Sequence, residues 1–192
     1  MATLSSGYEI RELSAEEFGP LWREHAPKFF DDKSQIFRLM DALNEEEKGK
    51  VKTLQARLGS PLQLRLGLFH NGAFVGWCAG HQESSEAFYM RNSAVFPEHR
   101  RRGLYSALLT ETLRRLSGLG FQRIYSRHSA SNNAVIIPKL KAGFTITALE
   151  VTDSFGVLVH LTYLPHPLRR KMMEYRVGDV KPDDEIRTHL KL

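Results

Sequence analysis

The sequence predicts a mixed α/β fold, with strands gathered into one sheet and helices packed on it, and three observations carry that prediction. Apolar residues alternate at Leu62, Leu64, Leu66 and Leu68, and the run leads to Asn71-Gly72, a strong hairpin signal. A strand–turn–helix join follows, where Val95-Phe96-Pro97 passes into RRRGLYSAL over residues 100–108. Beyond it, strand and helix signals alternate until Pro165 and Pro167 stop the sheet.

Taken in order, Tyr8 to Leu13 alternates like an opening strand. Ser14, with Glu16 and Glu17 behind it, reads as the N-cap and acidic first turn of a helix running to about His25. Residues 26–60 are polar, with Ile36, Met40, Leu43 and Val51 at helical spacing, and predict one or two helices. After the 62–70 strand and its turn, Ala73 to about Gln82 forms the return strand, and Ala87 to Val95 the next. A helix over about 103–118 buries Leu104, Ala107, Leu108, Leu113 and Leu116. Arg123 to His128 is a strand, and Asn132 or Asn133 caps a helix that Gly143 ends. Two strands, Thr145 to Val151 and Val157 to Leu164, complete the sheet, and Met172, Met173 and Tyr175 mark a tail helix packed on the body or on a second subunit.

The turn at Arg100–Leu108 carries the most chemistry. A strand ends, three arginines and a glycine turn the chain, and an amphipathic helix starts at once. Backbone N–H groups at such a helix start are unpaired and surrounded by positive charge, which suits phosphate oxygens. Gly103 lets the backbone approach an anion closely. Neither G-x-G-x-x-G nor G-x-x-x-x-G-K-[ST] occurs, so the usual dinucleotide and nucleoside-triphosphate loops are not what this is.

The stretch Val95-x-Pro97-x-x-Arg100-x-x-Gly103-x-Tyr105 resembles the pyrophosphate-binding signature R/Q-x-x-G-x-G/A of the GNAT superfamily of acetyl-CoA-dependent N-acetyltransferases, with Tyr105 where the pattern has a small residue. A second segment, NNAVIIPKLKAGF over 132–144, is similar to the superfamily's later pattern of an Asn, an apolar helix and a closing Gly-Phe. The resemblance covers about Leu62 to Leu164. It implies a central, mostly antiparallel mixed sheet flanked by helices, and a single domain over 1–192. Within that domain, 1–61 would shape the acceptor site, 62–164 would bind acetyl-CoA, and 165–192 would form a tail. It further implies direct transfer of acetyl from acetyl-CoA, as co-substrate, to a primary amine. The alternatives are a longer acyl group, or a non-catalytic acyl-CoA-binding sensor.

By the same resemblance, the backbone N–H groups of Arg101, Arg102, Gly103, Leu104, Tyr105 and Ser106 would hold the pyrophosphate, with Arg100 adding charge. Ala94, Val95 and Phe96 would end a strand that splays from its neighbour and offers its backbone to the pantetheine arm, besides packing in the core. Asn132 would lie beside the pantetheine and adenosine portion, or serve only as a helix cap. Where many members place a proton-donating tyrosine, this chain has Lys139, which reads first as a solvated helix lysine beside Lys141 and becomes a donor only if burial lowers its pKa. The strand positions that often hold a carboxylate base are Arg91 and Asn92. Asn92 can anchor a relaying water and Arg91 an acidic group of the substrate, while His128 is the histidine near the splay that can act as a base.

Composition sets the remaining bounds. With 192 residues, 42% hydrophobic and 26% charged, the chain has the make-up of one globular domain. Residues 1–90 carry 10 Lys/Arg against 13 Asp/Glu, and residues 91–192 carry 17 against 9, so the net +5 divides as −3 and +8. The basic half suits a polyphosphate ligand, but its arginines are not interleaved with aromatics and no nucleic-acid motif occurs, so nucleic acid is not an expected partner. No apolar run approaches the roughly 18 residues of a membrane span, and MATLSSGYEIRE lacks the parts of a secretory signal, so a cytoplasmic protein with no membrane partner is expected. Cys78 is alone, which rules out an internal disulfide, and the histidines lack metal-ligand spacing, so no metal is expected. Arg169-Arg170-Lys171 reads as a solvated basic turn, and a monomer or homodimer is the expected assembly.

Overall fold

The computed structural model describes residues 4, 6–30 and 39–191. Seven strands form one sheet: β1 Tyr8–Glu12, β2 Gln63–His70, β3 Ala73–Gln82, β4 Ala87–Val95, β5 Arg123–Ser129, β6 Thr145–Thr152 and β7 Gly156–Tyr163. Their order is β1-β2-β3-β4-β5-β7-β6. All neighbours are antiparallel except β4 and β5, which run parallel. The chain passes from β4 to β5 through α4 (Leu104–Gly118), and from β5 to β6 through α5 (Asn133–Lys141).

Local chemistry explains most elements. Ser14 caps α1 (Ala15–His25): its hydroxyl accepts from the Glu17 N–H, and the Glu17 carboxylate accepts from the Ser14 N–H. Asn71 and Gly72 take φ of 49° and 81°, the left-handed pair that a two-residue hairpin turn requires. In the polar stretch, a 3₁₀ turn at Ala26–Lys28 precedes α2 (Leu39–Ala42) and α3 (Glu45–Ala56). The α3 start is a second capping box, Asn44 with Glu47. Neither α2 nor α3 buries a residue, so Met40, Leu43 and Val51 do not form the packed face their spacing suggests, and Ile36 lies outside the described residues.

Two apolar clusters lie on opposite faces of the sheet. Leu66, Leu68, Phe88, Met90, Ile124 and Leu161 meet Leu108, Leu116, Ile136 and Phe144 beneath α4 and α5. Leu13, Phe18, Ala26, Phe69 and Trp77 form the smaller cluster beneath α1. The tail helices α6 (Pro167–Arg176) and α7 (Asp184–Leu190) dock on the body, with Ile186 of α7 fully buried. Arg169-Arg170-Lys171 is therefore not a solvated turn. It opens α6, where Arg169 pairs with Glu86 at 3.1 Å, Arg170 donates to the Leu164 carbonyl at 2.7 Å, and Lys171 pairs with Glu185 at 2.7 Å. Among the described residues, no helix is long and apolar enough to cross a membrane.

The spacing of β3 and β4 depends on Gly80, at the register shift between Ala79 and Gly80. A Cβ there would collide with the Tyr89 carbonyl oxygen and lie 2.6 Å from Phe88 Cε1. Gly80→Ala is expected to cost about 3 kcal/mol, a fall in Tm of about 6–12 °C. A near-wild-type melting curve would show that this contact relaxes freely.

Candidate functional site

Strands β4 and β5 pair only at Ala87↔Arg123, Phe88↔Ile124 and Tyr89↔Tyr125. Beyond Tyr89 and Tyr125 no backbone pairing joins them, so β5 leaves β4 unpaired from Met90 onward, and at Val95 the carbonyl accepts from Arg100 Nε instead. Two structures flank this seam, an amide-lined turn and a cavity.

The turn follows β4. Arg101 takes φ 61° and Gly103 φ 73°, and Gly103 stands at the N-cap of α4 without a side-chain cap. Among the described residues, no backbone or side-chain acceptor bonds the N–H groups from Arg101 through Ser106; the first amide of the helix to find one is Ala107, on the Gly103 carbonyl at 3.0 Å. A Cβ on Gly103 would meet nothing within 4 Å, so the space over the turn is open. Tyr105, the departure from the motif, does not fill it. Its ring packs inward against the α4-face core, and its hydroxyl is buried with no hydrogen-bond partner; burial pushes the phenol pKa up.

The three arginines divide. Arg100 turns back, donating from Nε to the Val95 carbonyl at 2.9 Å, and Arg102 reaches the Tyr8 hydroxyl at 3.4 Å and the Glu98 carbonyl at 3.3 Å. Arg101 makes no ion pair or hydrogen bond among the described residues. The backbone, rather than Arg100, therefore presents the donors of this turn. Ala94 and Phe96 pack towards the α1 cluster, while Val95 belongs to the opposite core, so the packing anticipated for these positions is present on both faces. Asn132 precedes α5 and is exposed, but its side chain makes no capping hydrogen bond, so it is not the side-chain cap that its position suggested.

Lys139 is the largest departure from expectation. It is not solvated but 1% exposed, pointing from α5 to the foot of the seam. Its Nζ donates to Ser126 Oγ at 2.6 Å, lies 3.7 Å from Met90 Sδ, and sits 4.8 Å from the Phe144 ring centroid. Met90 and Ser126 each follow the last paired residue of their strand. Burial pulls the Lys139 pKa down to about 7. His128 Nε2 lies 2.9 Å from the same Ser126 Oγ. Burial, helped by the Lys139 charge, lowers the His128 pKa to about 3. At that basicity the imidazole stays neutral near neutral pH, and its Nε2 partners Ser126 on the face of the sheet that carries Lys139.

The cavity, of about 510 Å³, lies on the α1 face, between α1, the segment after α3, and strands β2, β3 and β4. Asn92 lines it, with its Oδ1 accepting from Trp77 Nε1 at 3.0 Å. Asn92 and His128 thus fall on opposite faces, and the structure does not bring them together. Sequence reasoning missed two lining residues, Arg65 and His81. Burial, and next Arg91, lowers the His81 pKa, which keeps the ring neutral. The pairing His81↔Tyr89 sets it level with the start of the seam, but that register depends on a bulge in β4 that no local pattern announces.

A family model for the acetyltransferase (GNAT) family matches residues 8–144. The fold is shared with solved structures of low sequence identity. The ribosomal-protein-S18-alanine N-acetyltransferase from Escherichia coli is 19% identical, with a TM-score of 0.56 over 82% of this chain and 93% of that one. YncA, a putative acetyltransferase from Salmonella typhimurium solved with its cofactor acetyl-CoA, is 17% identical, with a TM-score of 0.60 over 84% and 96%. A spermidine N-acetyltransferase SpeG mutant from Vibrio cholerae is 12% identical, with a TM-score of 0.58 over 83% and 95%. No curated protein sequence matches the chain.

Proposed function

Because the chain belongs to the GNAT acetyltransferase family, we propose that it moves an acetyl group from acetyl-CoA to a primary amine by direct transfer. The observation that carries this reading is the open seam between β4 and β5, with unbonded amides on one side and a cavity on the other. The residues present fit the co-substrate. Six consecutive N–H groups, Arg101 to Ser106, have no acceptor among the described residues. These amides would hold the pyrophosphate at the start of α4, where the helix dipole adds to their attraction. The freed edge of Ala94, Val95 and Phe96 would hold the pantetheine arm, and Asn132 would flank it.

When bound, acetyl-CoA supplies the thioester carbon to which the amine bonds as the C–S bond breaks, the amine losing a proton and the departing sulfur gaining one. Lys139 holds a proton on Nζ at the foot of the seam, and a pKa of about 7 makes it acidic enough to give that proton up near neutral pH. Ser126, bonded to both Lys139 and His128, orients the ammonium. On the cavity side His81 takes the proton from the amine, and Asn92, braced by Trp77, positions the amine or an intervening water. Much of the acceleration comes from alignment of the two reactants across the seam. In this reading residues 62–164 form the acetyl-CoA-binding core, residues 1–61 shape the acceptor side, and residues 165–192 brace the body.

The test is calorimetric titration with acetyl-CoA and free CoA, followed by thiol release across an amine panel. Binding with release is the expected result. Binding without release across the panel would favour an acyl-CoA sensor, and absence of binding would refute the proposal.

A further inference from the structure

The acceptor cavity is unusual in its charges. Five arginines lie on strands: Arg11, Arg65, Arg91, Arg123 and Arg127. Three of them are ion-paired, Arg11 to Glu17 at 3.2 Å, Arg123 to Glu83 at 3.8 Å and Arg127 to Glu150 at 3.2 Å. The other two, Arg65 and Arg91, are the two that line the cavity, and neither makes an ion pair or hydrogen bond among the described residues. No carboxylate is among the described lining residues. Glu16, exposed on α1, senses Arg65 only weakly; its own pKa is held down first by a backbone hydrogen bond, then by Ser14, and last by Arg65.

The floor between the two arginines is hollow. Arg65 pairs with Ala79 and Ala79 with Asn92, so these three lie abreast across β2, β3 and β4. Arg91 is the additional residue where the β4 register shifts. Ala79 and Gly80 put little or no side chain between guanidinium groups that originate two strands apart, about 10 Å. The walls contribute Phe18 and Trp22, which are apolar.

We infer that the acceptor is a small amine that also carries a carboxylate and an apolar body, an amino acid or close analogue, with Arg65 and Arg91 holding the carboxylate. A guanidinium pair without internal carboxylates matches the planar, bidentate geometry of such a group and repels polycationic amines. This rests on the acetyl-transfer reading, and places the amine beside His81 and Asn92 once the carboxylate is seated.

The test compares leucine, methionine, phenylalanine and tryptophan, each against its amide, by acetyl-CoA-dependent thiol release. The amides keep the body and the amine, and their amines deprotonate more readily, so any preference for the free acid reports the carboxylate. For at least one acid, kcat/KM should exceed that of its amide by roughly 100-fold or more. Arg65→Met with Arg91→Met should collapse that ratio to within about threefold, and Arg65→Glu with Arg91→Glu should invert it. A wild-type ratio near one for all four pairs, or a ratio unchanged in both variants, overturns the inference. Should no amine give release, thermal shifts with the free acids in the presence of CoA separate the two readings. A shift lost in the methionine variant supports the carboxylate site and retires acetyl transfer; no shift in the wild type overturns the carboxylate site as well.

Discussion

Gly103→Glu is expected to lower affinity for acetyl-CoA and free CoA by about 100-fold or more, roughly 3 kcal/mol, while the protein still folds. The magnitude follows from charge. A carboxylate about 5 Å from a phosphate, at an effective dielectric near 20, is repelled by about 3 kcal/mol per unit charge. No protein atom lies within 4 Å of a Cβ at this position, so the substitution clashes with nothing in the free protein and its effect falls on the bound phosphate. Backbone strain is a separate cost: a side chain at φ 73° destabilises the free and bound protein alike, by about 1 kcal/mol, without changing affinity. Two further variants separate these effects. Gly103→Ala carries the strain alone and should lower Tm by about 2–4 °C, with affinity changed only severalfold. Gly103→Lys carries the same strain with the opposite charge and should bind at least as tightly as Gly103→Ala. Calorimetry on the three decides the matter, and wild-type affinity in Gly103→Glu would show that the amides of Arg101 to Ser106 do not hold phosphate.

Lys139→Met should separate stability from turnover, raising the first and lowering the second. The lysine titrates near 7 in the folded chain against a reference of 10.5, so the fully buried ammonium costs the native state up to the order of 5 kcal/mol below about pH 7. Between about pH 7 and 10.5 the unfolded chain binds more protons than the folded one, and wild-type stability therefore rises with pH across that window. Methionine removes both the penalty and the slope. Part of the gain is offset by loss of the hydrogen bond to Ser126, though His128 still bonds that hydroxyl. Urea denaturation near pH 7 and again near pH 9.5 should show the variant ahead at the lower pH, with the gap closing at the higher. A variant less stable than wild type at both would mean that the ammonium is well accommodated. Turnover should fall by roughly 100-fold or more at unchanged CoA affinity, and the alkaline limb of the pH–rate profile, set by loss of the Lys139 proton, should disappear. Unaltered turnover would remove Lys139 from proton transfer and leave the stability result standing.

Much of the fold was legible because it depends on short-range interactions. The Ser14 cap, the Asn71-Gly72 turn, the alternation through β2 and the Gly103 start of α4 are each decided within a few residues. The amide turn was legible for the same reason, since a glycine at positive φ before an apolar helix exposes its donors wherever it stands. The cavity on the α1 face was not. Arg65, His81 and Arg91 come from three strands, and whether they share a face depends on the β4 register shift, which reverses the alternation beyond it.

The rotation of α5 makes the same point most sharply. Val135, Ile136, Ile137 and Leu140 offer more than one apolar face, and a face containing Lys139 was the less expected choice. In the structure Ile136 and Lys139 turn inward, at 7% and 1% exposure, while Ile137 and Leu140 remain 49% and 41% exposed. The succession of strands and helices along the chain and the amide turn are set locally, because backbone preferences and caps act over a few residues. The burial of Lys139 at the foot of the seam, and the meeting in one cavity of Arg65 and Arg91, which have no ion-pair partner among the described residues, are not written in any local pattern. Those placements follow from helix rotation and strand register, which are set by packing between residues far apart in the chain.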